Sequence, residues 1–318
     1  MKQAAVATAI FAALVSGSAM AATVYKADGT ELKVGGRAEA RFNVSDNNES
    51  DATATESGST KFKDKSRARV NLVGKSQFSD NLYGFGKYEA EFDGDENLTN
   101  RYFFAGVGTS IGEFSYGKQD SAQVMLTDLT DTMATFGADA ADIVTGNKDK
   151  RQNNFLYTGK FDSLTVKANY LAADEKELNG DENSSYGVAA MYNFGMFTLG
   201  AGYVGQDNDD KQYNLAAEVK PIDTLTLAAL FAQGQKSDDD YIAYELSAKF
   251  KATKQLDVIG VYNYQENQDA DTDGETANNF AIEAVYKFDT HIRTYAGYKF
   301  EQLNDKDDQL QAGIRYDF

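Results

Sequence analysis

Apolar and polar side chains alternate along this chain with a period of two. In QLQAGIRYDF at 309–318, Leu310, Ala312, Ile314, Tyr316 and Phe318 form one phase, and Gln309, Gln311, Gly313, Arg315 and Asp317 form the other. That period places alternate side chains on opposite faces of a β-strand. LKVGGRAEARF at 32–42, YELSAKF at 244–250 and FAIEAVYKF at 280–288 repeat it. One phase is apolar and often ends on an aromatic residue, and the other is charged or small.

Sixteen such segments are predicted, near 31–42, 65–76, 81–92, 100–109, 112–118, 153–161, 163–172, 184–194, 196–206, 211–220, 224–234, 239–250, 255–266, 278–289, 292–302 and 307–318, with a short piece, TVYKAD, before the first. The connectors alternate in length. Tight ones fall at 79–81, 111–112, 162–163, 194–195, 221–224, 252–254 and 289–291. Long ones, mostly rich in Asp, Asn, Glu, Gly and Ser, centre on 43–64, 93–99, 119–152, 173–183, 207–210, 235–238, 267–277 and 303–306. One rim of tight turns and one of long polar loops is the layout of an up-and-down barrel in an outer membrane. The single proline, Pro221, lies in a tight turn and removes no ladder hydrogen bond.

A soluble β-sandwich or β-helix is the competing fold. It would leave edge strands to protect, and the last strand has an apolar face with no blunting device. Closure of the last strand onto the first removes the edge. The expected fold is therefore all-β: a sixteen-stranded antiparallel transmembrane barrel.

Composition changes the picture in three ways. Residues 1–21, MKQAAVATAIFAALVSGSAMA, have Lys2 near the start, an apolar run too short to span a bilayer and a small-residue end, so they are expected to be a secretory leader, with the barrel at 22–318. The chain has no Cys, so export brings no disulfides. The formal charge of −18 is wrong for nucleic acid, whose phosphates require basic partners.

TVYKADGTELKVGGRAE at the mature start, SRARVNLVGK at 66–75, NRYFFAGV at 100–107, FSYGK at 114–118 and the closing AGIRYDF resemble, in order and spacing, the trimeric general porins of Gram-negative outer membranes, in particular the major porins of the Vibrionaceae. The resemblance covers the whole mature length. It implies a sixteen-stranded barrel, a third long loop folded into the lumen, and a homotrimer in contact with outer-membrane lipid and lipopolysaccharide. It also implies that the assembly machinery reads the terminal strand ending at Phe318. Such a protein passes ions and small hydrophilic solutes through a water-filled pore, without a cofactor.

The longest connector, 119–152, fits the inward loop. Val124, Met125, Leu126, Leu129, Met133, Phe136, Ile143 and Val144 give it an apolar middle able to pack on a wall. Carried over by motif, the family's acidic constriction residues fall on Asp131 and Asp139. The family's loop glutamate is Thr135 here and its proline is Ala134, which leaves Asp128 or Asp142 as the substitute carboxylate. The family's basic ladder falls on Arg37, Arg69 and Arg101, with a further position at Lys150 or Arg151. Strand parity agrees: Arg37 is out of phase with Val34, Ala38 and Phe42, Arg69 with Ala68's phase, and Arg101 with Tyr102 and Phe104. Arg41 and Arg67 share the inward phase. Acid on a loop facing base on a wall sets a transverse field at the narrowest point, and such charged rings govern selectivity.

Other signals carry less. DADTDGE at 269–275 imitates a calcium loop, but its twelfth position is Phe280 and its predicted flanks are strands. The lone His291 sits in a tight turn, so histidine catalysis and an enzyme of the lipase or protease kind have little support. The alternative to a diffusion pore is a barrel acting mainly through its outer loops, as an adhesin, phage receptor or envelope-structural protein. The arginine ladder favours the pore, with acid outweighing base and a modest preference for cations.

Overall fold

The computed structural model describes residues 21–49, 61–94, 97–137, 140–173, 183–270 and 274–318. The leader expected at 1–21 therefore lies, apart from Ala21, outside the described residues. Among the described residues there are eighteen strands: β1 Ala22–Ala27, β2 Thr30–Val44, β3 Phe62–Asp64, β4 Arg67–Ser79, β5 Leu82–Asp93, β6 Leu98–Thr109, β7 Gly112–Gln119, β8 Arg151–Phe161, β9 Leu164–Leu171, β10 Ser185–Asn193, β11 Phe197–Gln206, β12 Lys211–Ile222, β13 Leu225–Lys236, β14 Asp239–Lys251, β15 Leu256–Asn267, β16 Glu275–Lys287, β17 Ile292–Glu301 and β18 Gln309–Asp317.

Sixteen of them, β2 and β4–β18, close into one antiparallel ring. The seam is β18 on β2, from Leu310 opposite Val44 to Asp317 opposite Arg37. The amide of Gly36 then donates to the Phe318 carbonyl at 2.9 Å, and the Phe318 amide returns to Gly36 at 3.0 Å. Beyond that point β1 takes over the same edge of β2, with Ala22 opposite Val34. The short piece at the chain start thus continues along the edge of β2 that β18 leaves. β3 is a three-residue extension pairing with the far end of β2.

The wall is inside out relative to a soluble protein. Large apolar side chains such as Val188, Leu246, Ile314 and Phe155 are about half exposed on the outside. Asn71, Asn154, Gln212, Asn214, Asn263 and Glu283 are buried on the inside. A soluble barrel would reverse these faces, and lipid as the outer solvent accounts for the arrangement. Tyr, Phe and Leu of the last strand follow the same rule, with Ile314 and Tyr316 outward.

The expected alternation of tight and long connectors fails at one place. β13 runs on past 234 to Lys236, which pairs with Asp239 at the start of β14. Only Ser237 and Asp238 remain between them, both at positive φ (54° and 73°). This is the backbone of a two-residue hairpin turn. The polar residues read as loop extend the ladder above the apolar band, because the ladder depends on backbone pairing and not on hydropathy.

An arginine at mid-strand on the outer face meets hydrocarbon. Leu246→Arg on β14 should therefore destabilise the folded barrel by about 2–4 kcal/mol, read from reversible denaturant titration in lipid vesicles. No loss would mean that this face does not meet the bilayer interior.

Candidate functional site: the lumen constriction

The connector after β7 enters the barrel. It begins with a single helical turn, α1, at Val124–Thr127, and has a 3-10 turn at Thr145–Asn147. Ala122, Met125, Leu126, Ala140, Ala141, Ile143 and Val144 bury themselves against Ala189, Val204, Ala216, Leu230, Ala232 and Ala243 of β10–β14. Met133 and Ala134 pack on a second cluster of Ile259, Val261, Val285 and Tyr295. The apolar middle expected to pack on a wall does so.

The wall's buried polar groups then satisfy the loop backbone. The Glu245 carboxylate on β14 accepts the amides of Ala140 (3.0 Å) and Ala141 (2.8 Å) and the Thr130 hydroxyl (2.6 Å). The Glu283 carboxylate on β16 accepts the amides of Ala134 (3.0 Å) and Thr135 (2.7 Å). Gln212 accepts the Val144 amide and donates to the Ala141 carbonyl, and Gln123 of the loop donates to the carbonyls of Val188 and Tyr203. A loop without regular structure can be buried only when its amides and carbonyls find partners of this kind.

Thr135, which replaces the family's glutamate, has a definite role. Its hydroxyl donates to Glu283 at 2.6 Å. The facing position on β17 is Gly297, where any Cβ would strike the Thr135 hydroxyl oxygen. The residue that would have carried a carboxylate into the pore is instead a tether.

The wall arginines Arg37, Arg69 and Arg101 lie on β2, β4 and β6, with β5 between the last two. Arg37 stands opposite Arg69, and Arg69 opposite Glu91. Arg101 also faces the lumen, though not by parity. A bulge between β5 and β6 pairs Glu89 with Tyr102 and Ala90 with Asn100, leaving Arg101 as the extra residue. Its Nε donates to Glu89 at 2.8 Å. Tyr102, read from the sequence as outward, points inward too: its hydroxyl donates to Asp120 at 3.0 Å and Lys87 sits 4.1 Å above its ring.

Carboxylates interleave these cations. Glu39 pairs with Arg67 at 2.5 Å and Arg37 at 3.5 Å, and accepts the Tyr295 hydroxyl at 2.7 Å. Glu91 pairs with Arg69, and at 3.7 Å with both Arg67 and Arg101. Glu89 also meets Lys87 at 3.7 Å. The ladder is a mesh of both signs. Sequence parity could have found it, since Glu39 shares the phase of Arg37, and Glu89 and Glu91 share that of Lys87.

Lys150 joins this wall. It has φ of 53°, its amide donates to Asp120 at 3.0 Å, and its ammonium pairs with Asp149. Burial pushes the ammonium down to about 8, Arg101 and Arg69 add to the shift, and Asp120 opposes it. Arg151 opens β8 opposite Gln119. On the loop, Asp131 and Asp142 are exposed, and Asn147 donates to Asp142 at 2.8 Å. Asp128 is exposed to lumen water, but loop and wall enclose it. This loss of bulk solvent pushes its carboxyl up to about 6, with Asp120 and Asp131 adding to the shift while Lys167 and Lys150 oppose it. Asp139 lies outside the described residues, as do Asp271 and Asp273 of the calcium-like stretch, whose flanks are strands β15 and β16.

A closed barrel with an oily outside, a polar inside and a loop narrowing its lumen defines a β-barrel channel of the outer membrane. A family model described as Gram-negative porin matches residues 5–307. Outer membrane protein U of Vibrio parahaemolyticus is 36% identical, with 100% of each chain covered. Outer membrane protein U of Vibrio cholerae strain O395 is 38% identical, covering 99% of this chain and 96% of that one. Among solved structures, OmpF of Salmonella typhi superposes with a TM-score of 0.80 at 19% identity, covering 94% of this chain and 100% of that one. A trimer form of OmpT of Vibrio cholerae gives 0.72 at 16% identity, with 92% and 100% covered. The chain belongs to the Gram-negative porin family. It is an outer-membrane general diffusion porin, a passive channel and not an enzyme.

The loop anchors make a prediction. Glu245→Ala strands two amides and a hydroxyl in a buried site, at about 1–3 kcal/mol each. The loop should loosen while the barrel stays closed. Single-channel records should then show new flicker between conductance levels, with the heat-resistant folded band on gels unchanged. A quiet channel would show that Glu245 does not hold the loop.

Proposed function

We propose that the pore prefers cations modestly and that its selectivity is set by the loop carboxylates Asp128, Asp131, Asp139 and Asp142 against the wall cations Arg37, Arg69, Arg101, Lys150 and Arg151. One observation carries this reading: Glu39, Glu89 and Glu91 interleave the wall arginines and cancel much of their charge, whereas Asp131 and Asp142 are exposed to the lumen. The overall charge of −18 acts in the same direction. Apolar solutes are disfavoured because aligned water and charged walls must be displaced along the narrowest stretch.

The working unit in this reading is a homotrimer, as in the trimer form of the OmpT neighbour. Residues 1–21 act as the export leader. Lipid and lipopolysaccharide cover the apolar belt, and the assembly machinery reads the strand ending at Phe318, whose Leu310, Ile314 and Tyr316 present an outward apolar face. The polar, loop-narrowed lumen favours solute passage over a barrel acting through its outer connectors as adhesin, phage receptor or structural protein.

Purified protein in a planar bilayer under a KCl gradient tests this. Conductance steps should arrive in threes, with a reversal potential favouring K⁺. A unit charge about 8 Å from a permeating ion in water is worth roughly 0.5 kcal/mol. A cation loses that attraction and an anion loses the equal repulsion, so Asp131→Ala should lower the cation-to-anion permeability ratio by about five-fold. Zero or anion-favouring reversal in the unaltered protein would reject the reading.

The pH dependence has a definite sign. Asp128 carries its charge above about 6 and loses it below, so cation preference should fall as pH drops through 6. Lys150 loses its positive charge above about 8, so cation preference should rise again through that range. Reversal potentials from pH 4.5 to 9 check both steps, and Asp128→Asn should flatten the lower one.

A further inference from the structure

We propose a second lumen site, on the tight-turn side of the constriction, that binds small phosphate oxyanions in transit. It rests on the reading of the lumen as an open, water-filled path.

The register aligns one row of inward residues across five strands. Tyr83 stands opposite Gly108, Gly108 opposite Glu113, Glu113 opposite Thr158, and Thr158 opposite Lys167. The inward phase is fixed independently: Asn154 on β8 donates to the Gln119 and Asp120 carbonyls, and Asn169 on β9 accepts the Ala122 amide of the inward loop. Lys160 shares the phase of Asn154, and Lys167 that of Asn169. Lys160 faces Thr165 as Thr158 faces Lys167. Two ammoniums and two hydroxyls therefore make a checkerboard on adjacent strands, with facing Cβ atoms about 5 Å apart.

The acid at the end of the row is already engaged. Gly108 has no side chain, and the Tyr83 ring lies across it, where any Cβ would strike the ring. The Tyr83 hydroxyl thereby reaches Glu113 and donates at 2.6 Å, and Lys75 sits 3.9 Å above the same ring. Glu113 feels Lys75, Lys160 and Lys167 together, so one carboxylate serves three ammoniums, while Asp128 of the loop also faces Lys167. Among the described residues, Lys160 and Lys167 lie in no ion pair, and Thr158 and Thr165 make no side-chain hydrogen bond. The wall cations Arg37, Arg67, Arg69, Lys87 and Arg101, by contrast, each pair with Glu39, Glu89 or Glu91.

Unpaired ammoniums flanked by hydroxyls in a water-filled channel suit a doubly charged oxyanion with several acceptor atoms, which two positive charges and two donors can hold at once. Phosphate, free or as a monoester, has that chemistry. Chloride has a single charge and no fixed acceptor geometry.

Single-channel recording in KCl at pH 7 tests the site, with inorganic phosphate or glycerol phosphate added at constant ionic strength. The unaltered channel should show reversible, concentration-dependent current interruptions with both probes. A response to free phosphate alone would restrict the ligand to that source and still support the site. K160Q/K167Q should abolish the interruptions, T158V/T165V should shorten them with all charges retained, and K160R/K167R should keep them. Normal conductance steps with no phosphate response, or interruptions that persist in K160Q/K167Q, would overturn this inference alone. Absence of any conductance from folded barrel would instead overturn the pore reading beneath it.

Discussion

Every peptide group in the bilayer interior needs a partner within the protein, since hydrocarbon offers none. The rest of this structure follows from that constraint. It forces the strands into a ring, so the last strand must meet the first. It also explains how the chain ends are used: β18 stops at Phe318, the ladder passes to Gly36, and β1 continues along the same edge. Closure assigns one face of every strand to lipid and the other to the lumen, which is why a period of two dominates the sequence.

A ring of this size has no centre of packed side chains. The inward loop supplies the nearest equivalent, and only on one side. Where it lies on β10–β14, the lumen face turns apolar, with Ala216, Leu230, Ala232 and Ala243 buried beneath it. Opposite, β2 and β4–β6 stay charged and wet. The pore is therefore an asymmetric slot: an apolar contact fixes the loop, acids on its free edge meet water, and a mixed-sign wall faces them. Glu245 and Glu283 make that asymmetry durable by receiving loop amides that would otherwise be stranded. Their carboxylates act as anchors more than as pore charges.

Much of this is legible in the sequence. Alternation located the sixteen barrel strands, and the apolar residues of 119–152 identified a loop that packs. The legible signal was strong because each strand has a single allocation of faces. It failed where local geometry departs from strict alternation. Arg101 reaches the lumen through a bulge, and Tyr102 follows it inward. Hydropathy does not register an inserted residue. The hairpin at Ser237 and Asp238 looks like a longer loop in the sequence because polar residues can lengthen a ladder above the membrane. β13 held an unused clue: LTLAALFA is apolar in both phases. A lumen strand with two apolar faces must be covered from within, and that marks the wall under the loop.

The partners of the loop are not legible, because they depend on contacts between residues 47 to 149 positions apart. Thr135 shows the consequence. By family pattern it is a missing charge, but in the fold its hydroxyl is held by Glu283 opposite Gly297. The same device, a glycine that lets a neighbouring group pass, recurs twice on the wall. Tyr83 crosses Gly108 to reach Glu113, and Tyr295 crosses Gly313 to reach Glu39. In each case a hydroxyl occupies an inward carboxylate and fixes its orientation. The Glu39 example lies within the arginine mesh and helps hold Arg37 and Arg67 in place. The Glu113 example lies away from it and leaves Lys160 and Lys167 without an ion-paired acid among the described residues. The same local construction thus gives two electrostatic results, and the difference is set by which cations the register places beside each glutamate.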